Sequence, residues 1–138
     1  MAEVEVDMKT GYVDVLEVTA SHDVGTAINP ALVKGQIYGG IVMGQGFAVT
    51  EDVVTGKRGQ KTKNFDSYIL PTSMDAPKMN INIYENQDPA GTYGANHRGT
   101  SHRGRGAAIA NAIFNATGRR VYENPADLET VLLGHKLQ

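Results

Sequence analysis

The alternation of apolar and polar residues predicts strands near the start and in the middle of the chain. Val4 to Asp7 alternates, Tyr12 to Thr19 is rich in β-branched residues, and Lys9-Thr10-Gly11 between them is a turn signal. Together they predict a β-hairpin. Met79 to Tyr84 alternates between apolar residues and asparagine, which predicts a half-buried strand. A further short strand is expected at Ser67 to Leu70, before Pro71.

A helix is predicted to begin at Asn29-Pro30, with Asn as the N-cap and Pro at the first helical position, after a loop from Ser21. It is expected to end near Ala48. Each internal glycine costs a helix about 1 kcal/mol relative to alanine, so the glycines need a reason. One explanation is the close approach of a neighbouring helix. The other explanation is a surface that leaves room for a flat polar cofactor beside Gln36. The glycines are Gly35, Gly39, Gly40, Gly44 and Gly46.

Two helices are predicted near the end of the chain. Ala107 to Thr117 carries an apolar face and stops at Gly118, and Asn124-Pro125 opens a shorter helix that Gly134 closes. Glu85 to Arg105 is expected to be a long polar loop. The fold class is therefore α+β: a strand hairpin, a glycine-rich buried helix, further short strands and two C-terminal helices, in one domain spanning residues 1–138.

Composition narrows the choice of function. The chain has 138 residues, a net charge of −2 and no cysteine. These values give no overall bias toward nucleic acid or anionic membranes, and they exclude a disulfide, a thiolate zinc site and a cysteine-ligated iron–sulfur cluster within the chain. Residues 31–49 contain Lys34 and two glutamines, which favours a soluble helix over a membrane span. With no signal-peptide pattern, a cytoplasmic location is expected.

Two short segments are candidates for chemistry. His22-Asp23 could act as an acid–base pair, although adjacent side chains rarely point at one target and Asp-Val-Gly is typical of a turn. Asn96 to Arg105 reads NHRGTSHRGR and could bind phosphate, RNA or, through His97 and His102, a metal. A solvated basic loop is the simpler interpretation, and Arg98, Arg103 and Arg105 are then expected to stay in water.

Four ordered segments carry a resemblance to one family. They are His22 to Asp52, Asn64 to Pro77, Tyr84 to Ala95, and Ala108 to Val121. In this order and spacing they resemble the molybdopterin-binding subunit of the xanthine dehydrogenase/aldehyde oxidase family of molybdenum hydroxylases. That subunit is several times longer, so the chain is expected to be the C-terminal part of such a molybdenum-cofactor-binding domain.

The resemblance implies a function and a set of cofactor contacts. Family members bind molybdenum through a pterin and hydroxylate aldehydes or nitrogen heterocycles with oxygen from water. Electrons leave through iron–sulfur clusters and FAD on partner chains or domains. The glutamine of the family's GQ-x-x-GG helix lies against the pterin, which implies a cofactor-binding role for Gln36, Gly39 and Gly40. The same role is assigned to Gly94 and Ala95, and no residue is assigned to bind the metal directly.

The sequence departs from the family at its general base, a glutamate in a G-x-GEP segment expected near Gly99/Thr100. The chain has no glutamate between Glu85 and Glu123, so no catalytic residue is assigned. One permitted set of codons for Asn96 to Ala107, read one nucleotide later, gives T-I-G-E-P-A-T-V-A-A-A, which matches the family. We therefore hypothesise a pair of compensating frameshifts or a sequencing error.

The expected function is one wall of the molybdopterin site in a complete hydroxylase, with the chain alone inactive. The remainder of the subunit, iron–sulfur and FAD subunits and a small-molecule substrate are the expected partners. Two alternatives stay open: a genuine small subunit of a split hydroxylase, and a non-catalytic paralogue whose basic loop binds anions. The sequence does not distinguish a purine, another heterocycle or an aldehyde as substrate.

Overall fold

A computed structural model describes residues 1–57, 59–94 and 103–134 of the chain, apart from the side chain of Arg103. The strands and helices follow one another as β1 (Ala2–Val6), β2 (Val13–Asp23), α1 (Pro30–Val49), β3 (Thr55–Gly56), β4 (Gly59–Gln60), β5 (Lys78–Tyr84), α2 (Arg103–Thr117) and α3 (Leu128–Leu133). A 3-10 turn covers Thr92–Gly94. This order confirms the expected α+β class and the predicted hairpin.

The main sheet has the strand order β1-β2-β5. β1 pairs with β2 in antiparallel register, and β2 pairs with β5 in parallel register from Glu17↔Lys78 to Asp23↔Tyr84. A parallel pair needs a long crossover, and α1 lies within the one that joins β2 to β5. The carboxyl ends of both parallel strands therefore meet at one edge of the sheet.

A β-bulge keeps the apolar side chains of β2 on one face. The register shifts between Glu3 and Val4 of β1, opposite Leu16 of β2. Val15 and Val18 are both buried, although a regular strand would place them on opposite faces. The extra residue, Leu16, shifts the alternation by one position, so Val15 and Val18 face the same side of the sheet. β2 was expected to stop at Thr19, but it continues to Asp23, because β5 supplies hydrogen-bond partners along its whole second half.

Helices α1 and α2 cover the apolar face of this sheet and contact each other. The largest of the fully buried side chains come from these two helices and from α3. They are Ile37, Ile41, Ile109, Ile113 and Val131, each under 2% exposed. The core is thus a two-layer arrangement of helices on a sheet. None of the described helices combines the length and hydropathy needed to cross a membrane.

Residues 50–77 leave the end of α1 and fold back along it. Gln45 Nε2 donates to the carbonyl oxygen of Asp75 at 2.8 Å, and the Tyr68 hydroxyl donates to the Glu51 carboxylate. The predicted strand at Ser67 to Leu70 is wrong. The backbone N–H groups of Ser67 and Tyr68 both donate to the carbonyl of Asn64, which forms a local turn in place of strand pairing.

α3 closes the fold against the hairpin turn. Gly11 has φ +78°, and a Cβ built on it would lie 2.7 Å from the carbonyl oxygen of Leu128 and 2.9 Å from Cγ of Leu132. Only glycine satisfies both the backbone angle and this contact without a shift. α3 begins at Leu128 with Asp127 as N-cap, later than the predicted start at Asn124-Pro125, and ends at Gly134 as predicted.

The start of α2 corrects two expectations. The helix begins at Arg103, four residues before the predicted Ala107, so the end of the expected loop is helical. Arg105 is only 8% exposed, so the expectation that it stays in water is wrong. Its side chain extends beside Gly44, where the absence of a Cβ leaves room for it. Residues 95–102, including Arg98, lie outside the described residues.

The outer face of the hairpin gives a first prediction. Glu3 pairs with Glu17, and Glu5 with Asp14, so carboxylates stand directly opposite one another. Like charges in this position destabilise a sheet. Glu5→Lys should therefore raise the free energy of unfolding by about 0.5 kcal/mol or slightly more, measured by urea denaturation at low salt.

The matched control is Glu123→Lys, which changes the net charge equally at an exposed residue outside the sheet. Its effect should be smaller, and the gain from Glu5→Lys should shrink in about 1 M NaCl, where charges are screened over a few ångströms. Equal gains from both substitutions would show that overall charge, and not the cross-strand pair, is responsible.

Candidate functional site

The predicted cofactor-binding helix begins as the sequence indicates. The Asn29 side chain accepts a hydrogen bond from the backbone N–H of Leu32 at 3.1 Å, and Pro30 occupies the first helical position. Two turns later Gln36 points away from the core and is exposed, as is Gly39. Gly40 is buried with Ile37 and Ile41 on the opposite side. The helix is therefore buried along one side only.

The glycines of α1 fall into two groups with different causes. A Cβ built on Gly44 would lie 2.7 Å from Cβ of Arg105, and one built on Gly46 would lie 2.8 Å from Cδ of Pro71 and collide with the Glu51 carboxylate. These two glycines are explained by close packing. A Cβ on Gly35 or Gly39 would meet nothing within 4 Å. Packing within the described chain therefore explains neither of them.

An exposed apolar stripe continues along the face that holds Gly35, Gln36 and Gly39. At the helical spacing of three or four residues, Leu32 is 68% exposed, Met43 57% and Phe47 58%. Large apolar side chains on a face without neighbours indicate a surface that is covered by another group. Gln36 is the polar residue in the middle of this stripe, and its amide can both donate and accept a hydrogen bond.

Gly94 lies in a different part of the structure, in the loop that follows β5. It has φ +74°, and its carbonyl oxygen accepts from the backbone N–H groups of Thr26 at 2.8 Å and Asp88 at 3.2 Å. Its own N–H donates to Gly91 at 3.0 Å. Both backbone groups of Gly94 are thus used to fasten this loop, and its contact with Thr26 brings the loop to the start of α1.

A small network holds the two loops that leave the parallel strands. Asp23 Oδ1 accepts from the backbone N–H groups of Gly25 at 3.0 Å and Asn86 at 3.3 Å. Glu85 Oε1 accepts from the N–H of Ala27 at 2.7 Å. These bonds fix the direction in which the chain enters α1, and so the side on which Gln36 is presented. This role of Asp23 and Glu85 was not predicted from the sequence, although two acids directly at the ends of strands are a signal for it.

His22 and Asp23 do not act on a common target. Asp23 is occupied by the loop network, whereas His22 is on the helix-facing side of β2, near Arg105. Burial first, and then the positive charge of Arg105, lower the pKa of the His22 imidazole below its ordinary value. Burial also lowers the pKa of the Arg105 guanidinium. The interpretation of His22-Asp23 as an acid–base pair is not supported by this arrangement.

The structure brings only some of the predicted site residues together. Gln36 and Gly39 share one exposed face. Gly94 lies in the loop after β5, which is bonded to Thr26 ahead of the same helix, and none of the hydrogen bonds of Gly94 described above reaches Gln36. Ala95 and the Gly99/Thr100 position lie outside the described residues, as do His97 and His102. Within the described ranges, no group of three metal-ligating side chains is close enough to hold an ion.

The exposed face of α1 leaves the helix backbone accessible to another group. At Gly35 and Gly39 the backbone can be approached closely, because no side chain stands between it and an incoming group. Gln36 between them offers a paired hydrogen-bond donor and acceptor on the same face. The chain provides this one surface, and the described residues provide no enclosing pocket around it.

Comparison with known proteins identifies the class. The family model of the molybdopterin cofactor-binding domain matches residues 1–77. The chain is 34% identical over 136 residues to the aldehyde oxidoreductase molybdenum-binding subunit PaoC of Escherichia coli K12, covering 94% of this chain and 18% of that protein. It is 32% identical to the xanthine dehydrogenase molybdenum-binding subunit of Escherichia coli O157:H7, covering 84% of this chain and 16% of that protein.

Comparison of the fold with solved structures identifies the same class of protein. The crystal structure of the aldehyde oxidoreductase from Desulfovibrio desulfuricans matches 95% of this chain and 14% of its own, with a TM-score of 0.86 and 34% identity. The chain belongs to the molybdopterin cofactor-binding domain family, which confirms the resemblance inferred from the four sequence segments. It spans less than one fifth of the length of the curated relatives named here.

The two groups of glycines give a second prediction. Gly35→Ala and Gly39→Ala should each stabilise the isolated chain by up to about 1 kcal/mol, because alanine favours the helix and meets open space. Gly44→Ala should destabilise it by about 1–3 kcal/mol, because the new methyl group overlaps Arg105. Urea denaturation of the three variants and the unaltered chain measures these differences. A loss of stability in Gly39→Ala equal to that in Gly44→Ala would show that the exposed face is packed in solution.

Proposed function

We propose that the chain forms one wall of the molybdopterin site in a molybdenum hydroxylase that oxidises aldehydes or nitrogen heterocycles with oxygen from water. One observation carries the proposal. Gln36 is exposed beside Gly35 and Gly39, two helix glycines that no packing within the described chain requires. Family membership supplies the kind of group that would cover this face, because the matching model is a molybdopterin cofactor-binding domain.

Each residue of this wall has a separate task. The Gln36 amide binds the polar edge of the pterin, and the bare backbone at Gly39 lets the ring system approach the helix. Gly40, buried under the same turn, contributes by positioning the helix and not by direct contact. Gly94 likewise fixes the loop at the start of α1 through its bond to Thr26. When bound, the molybdenum centre supplies the two-electron oxidation of the substrate.

The chain as written lacks the family's general base, since no glutamate occurs between Glu85 and Glu123. We propose that residues 96–107 are encoded in a shifted frame. The packing of Arg105 supports this, because the shifted reading places an alanine there. Arg105 is buried at the crossing of α1 and α2, directly against Gly44, where a small residue is expected. The genomic nucleotide sequence of codons 94–110 tests the frame directly.

The proposed partners are the remainder of a molybdenum-binding subunit together with iron–sulfur and FAD subunits or domains. The exposed apolar stripe on α1 supports a covering partner, because Leu32, Met43 and Phe47 are each more than half exposed. A small subunit that joins a separately encoded partner would present the same surface. Because the proposed site needs a partner to complete it, we expect neither bound molybdenum nor hydroxylase activity in the chain alone.

The test of this proposal uses an affinity-tagged chain expressed in the organism that encodes it. The chain should co-purify with molybdenum and pterin in a larger complex, whereas the chain purified alone from a heterologous host should contain neither. Gln36→Ala should lower the pterin content of the complex while leaving the thermal unfolding of the isolated chain nearly unchanged, since the side chain is exposed.

Gln60→Ala is the matched control, because Gln60 is also exposed but lies in the β3–β4 hairpin away from α1. It should leave the pterin content unchanged. A complex without molybdenum would contradict the proposal, and so would a stoichiometric molybdenum content in the isolated chain. Equal pterin content in the Gln36→Ala and Gln60→Ala complexes would remove Gln36 from the site.

A further inference from the structure

The two outer strands of the main sheet differ in how well their open edges are protected. Among the described strands, β1 and β5 each have one edge without a neighbour. Such an edge presents unpaired backbone groups to which another strand can bind. β1 is protected, because it has only five residues, a β-bulge after Glu3, and the carboxylates of Glu3 and Glu5. β5 has seven residues in regular register, no proline, and a single charge, Lys78, at its start. It is therefore the edge that is open to pairing.

The hydrogen bonds of β5 show which of its backbone groups face the open edge. The carbonyl oxygen of Tyr84 accepts from the N–H of Val24 at 3.0 Å, so the backbone groups of Tyr84 face β2. Successive residues of a strand direct these groups to opposite sides, and β2 and β5 pair without a register shift. The N–H and C=O groups of Met79, Ile81 and Ile83 therefore face away from β2. Within the described ranges, no hydrogen bond reaches them.

The side chains of β5 give the strand one apolar and one polar face. Met79, Ile81 and Ile83 are half-buried and pack against the core, whereas Asn80 and Asn82 are exposed on the other face. Beside the edge lies a groove of about 420 Å³ between the carboxyl-terminal half of β5 and the first turns of α1. The helix layer thus leaves room for another strand, which would extend both faces of the sheet.

The sequence of β5 is complementary to itself when two copies run antiparallel. Residues 79–83 read MNINI, with apolar residues and asparagines placed symmetrically about Ile81. A second β5 centred on Ile81 places Met79 opposite Ile83 and Asn80 opposite Asn82. Apolar side chains then meet apolar ones and amides meet amides, which are favourable cross-strand pairs. No pair within residues 78–84 brings like charges together in this register.

We propose that β5 is a strand-pairing site for a second copy of the chain, and that two β5 strands join antiparallel about Ile81. The two three-stranded sheets then form one continuous sheet. In this register, Ile81 lies opposite Ile81 of the second copy and Met79 opposite Ile83, so the outward-facing backbone groups of both copies pair with each other. The interface has two-fold symmetry and leaves the protected β1 strands outermost. It uses residues of this chain alone and is separate from the function proposed for Gln36.

Cysteine cross-linking tests the pairing and its register, because the chain has no cysteine of its own. Ile81→Cys should form a disulfide-linked dimer under mild oxidation, since directly opposed residues of this kind have Cα atoms about 5.5 Å apart, within disulfide range. Val4→Cys, also half-buried but on β1, is the matched control and should stay monomeric. Asn80→Cys should cross-link with Asn82→Cys in a mixture of the two chains, and much less with itself.

Sedimentation equilibrium measures the dimer without a cross-link. Asn80→Lys/Asn82→Lys places lysines opposite lysines and should weaken the dimer by about tenfold at low salt, with recovery in about 1 M NaCl. Both side chains are exposed, so the thermal unfolding of the chain should change little. Asn64→Lys/Asn115→Lys is the control, because it makes the same change of charge at exposed residues outside the sheet. It should leave the dimer unchanged.

Amide hydrogen exchange locates the contact. The N–H groups of Met79, Ile81 and Ile83 should become protected as the concentration of the chain rises, whereas those of Asn80 and Asn82 should be protected throughout. A chain that stays monomeric and gives no Ile81→Cys cross-link would overturn the proposal, as would a dimer that the paired lysines do not weaken. Protection of the three outward amides only in a complex with other proteins would also overturn it, and would assign the edge to a strand of a different partner.

Discussion

The crossing of α1 and α2 is the contact on which the rest of the fold depends. It is possible because Gly44 has no side chain where Arg105 passes. The fully buried isoleucines of both helices meet near this crossing and cover the apolar face of the sheet. Without the close approach at Gly44, the two helices would not form one layer.

The glycines of α1 have different surroundings in the two halves of the helix. The carboxyl-terminal half of α1 uses its glycines to pack against other parts of the chain, whereas the amino-terminal half presents glycines to open space. Sequence spacing does not distinguish these halves, because a glycine that packs against a neighbouring helix and a glycine that faces open space can have the same spacing. What separates them is the folded chain around α1. Arg105 of α2 lies against Gly44, and Glu51 and Pro71 of the returning segment lie against Gly46, whereas nothing in the described chain lies within 4 Å of a Cβ built on Gly35 or Gly39.

Much of the fold followed from local signals. The Asn29-Pro30 start of α1, the hairpin turn ending at Gly11 and the stop at Gly134 each depend on a residue type that suits one backbone geometry. The start of α2 was predicted too late, because its first turn is rich in Gly and Arg and has little helix propensity. There the contacts between α2 and α1 outweigh propensity, and such long-range packing cannot be read from a single sequence.

The candidate site was predictable only in part, because some of its contacts join residues that are far apart in the sequence. Gln36 and Gly39 were recognisable from the family motif, and their shared exposed face follows from helical spacing. Gly94 also came from the motif, yet its backbone is occupied by Thr26 and Asp88, which only the folded loop reveals. The approach of His22 to Arg105 joins residues far apart in the chain, and no motif contained both of them.

The parallel pairing of β2 with β5 also limits the order in which the chain can assemble. The paired residues are 61 positions apart, so the whole of α1 and the segment after it must be placed before the sheet is complete. The β1–β2 hairpin closes over only a few residues and can form early. Because closing a long loop costs entropy that only the finished contact offsets, β5 is expected to join last, and its arrival to set the folding rate.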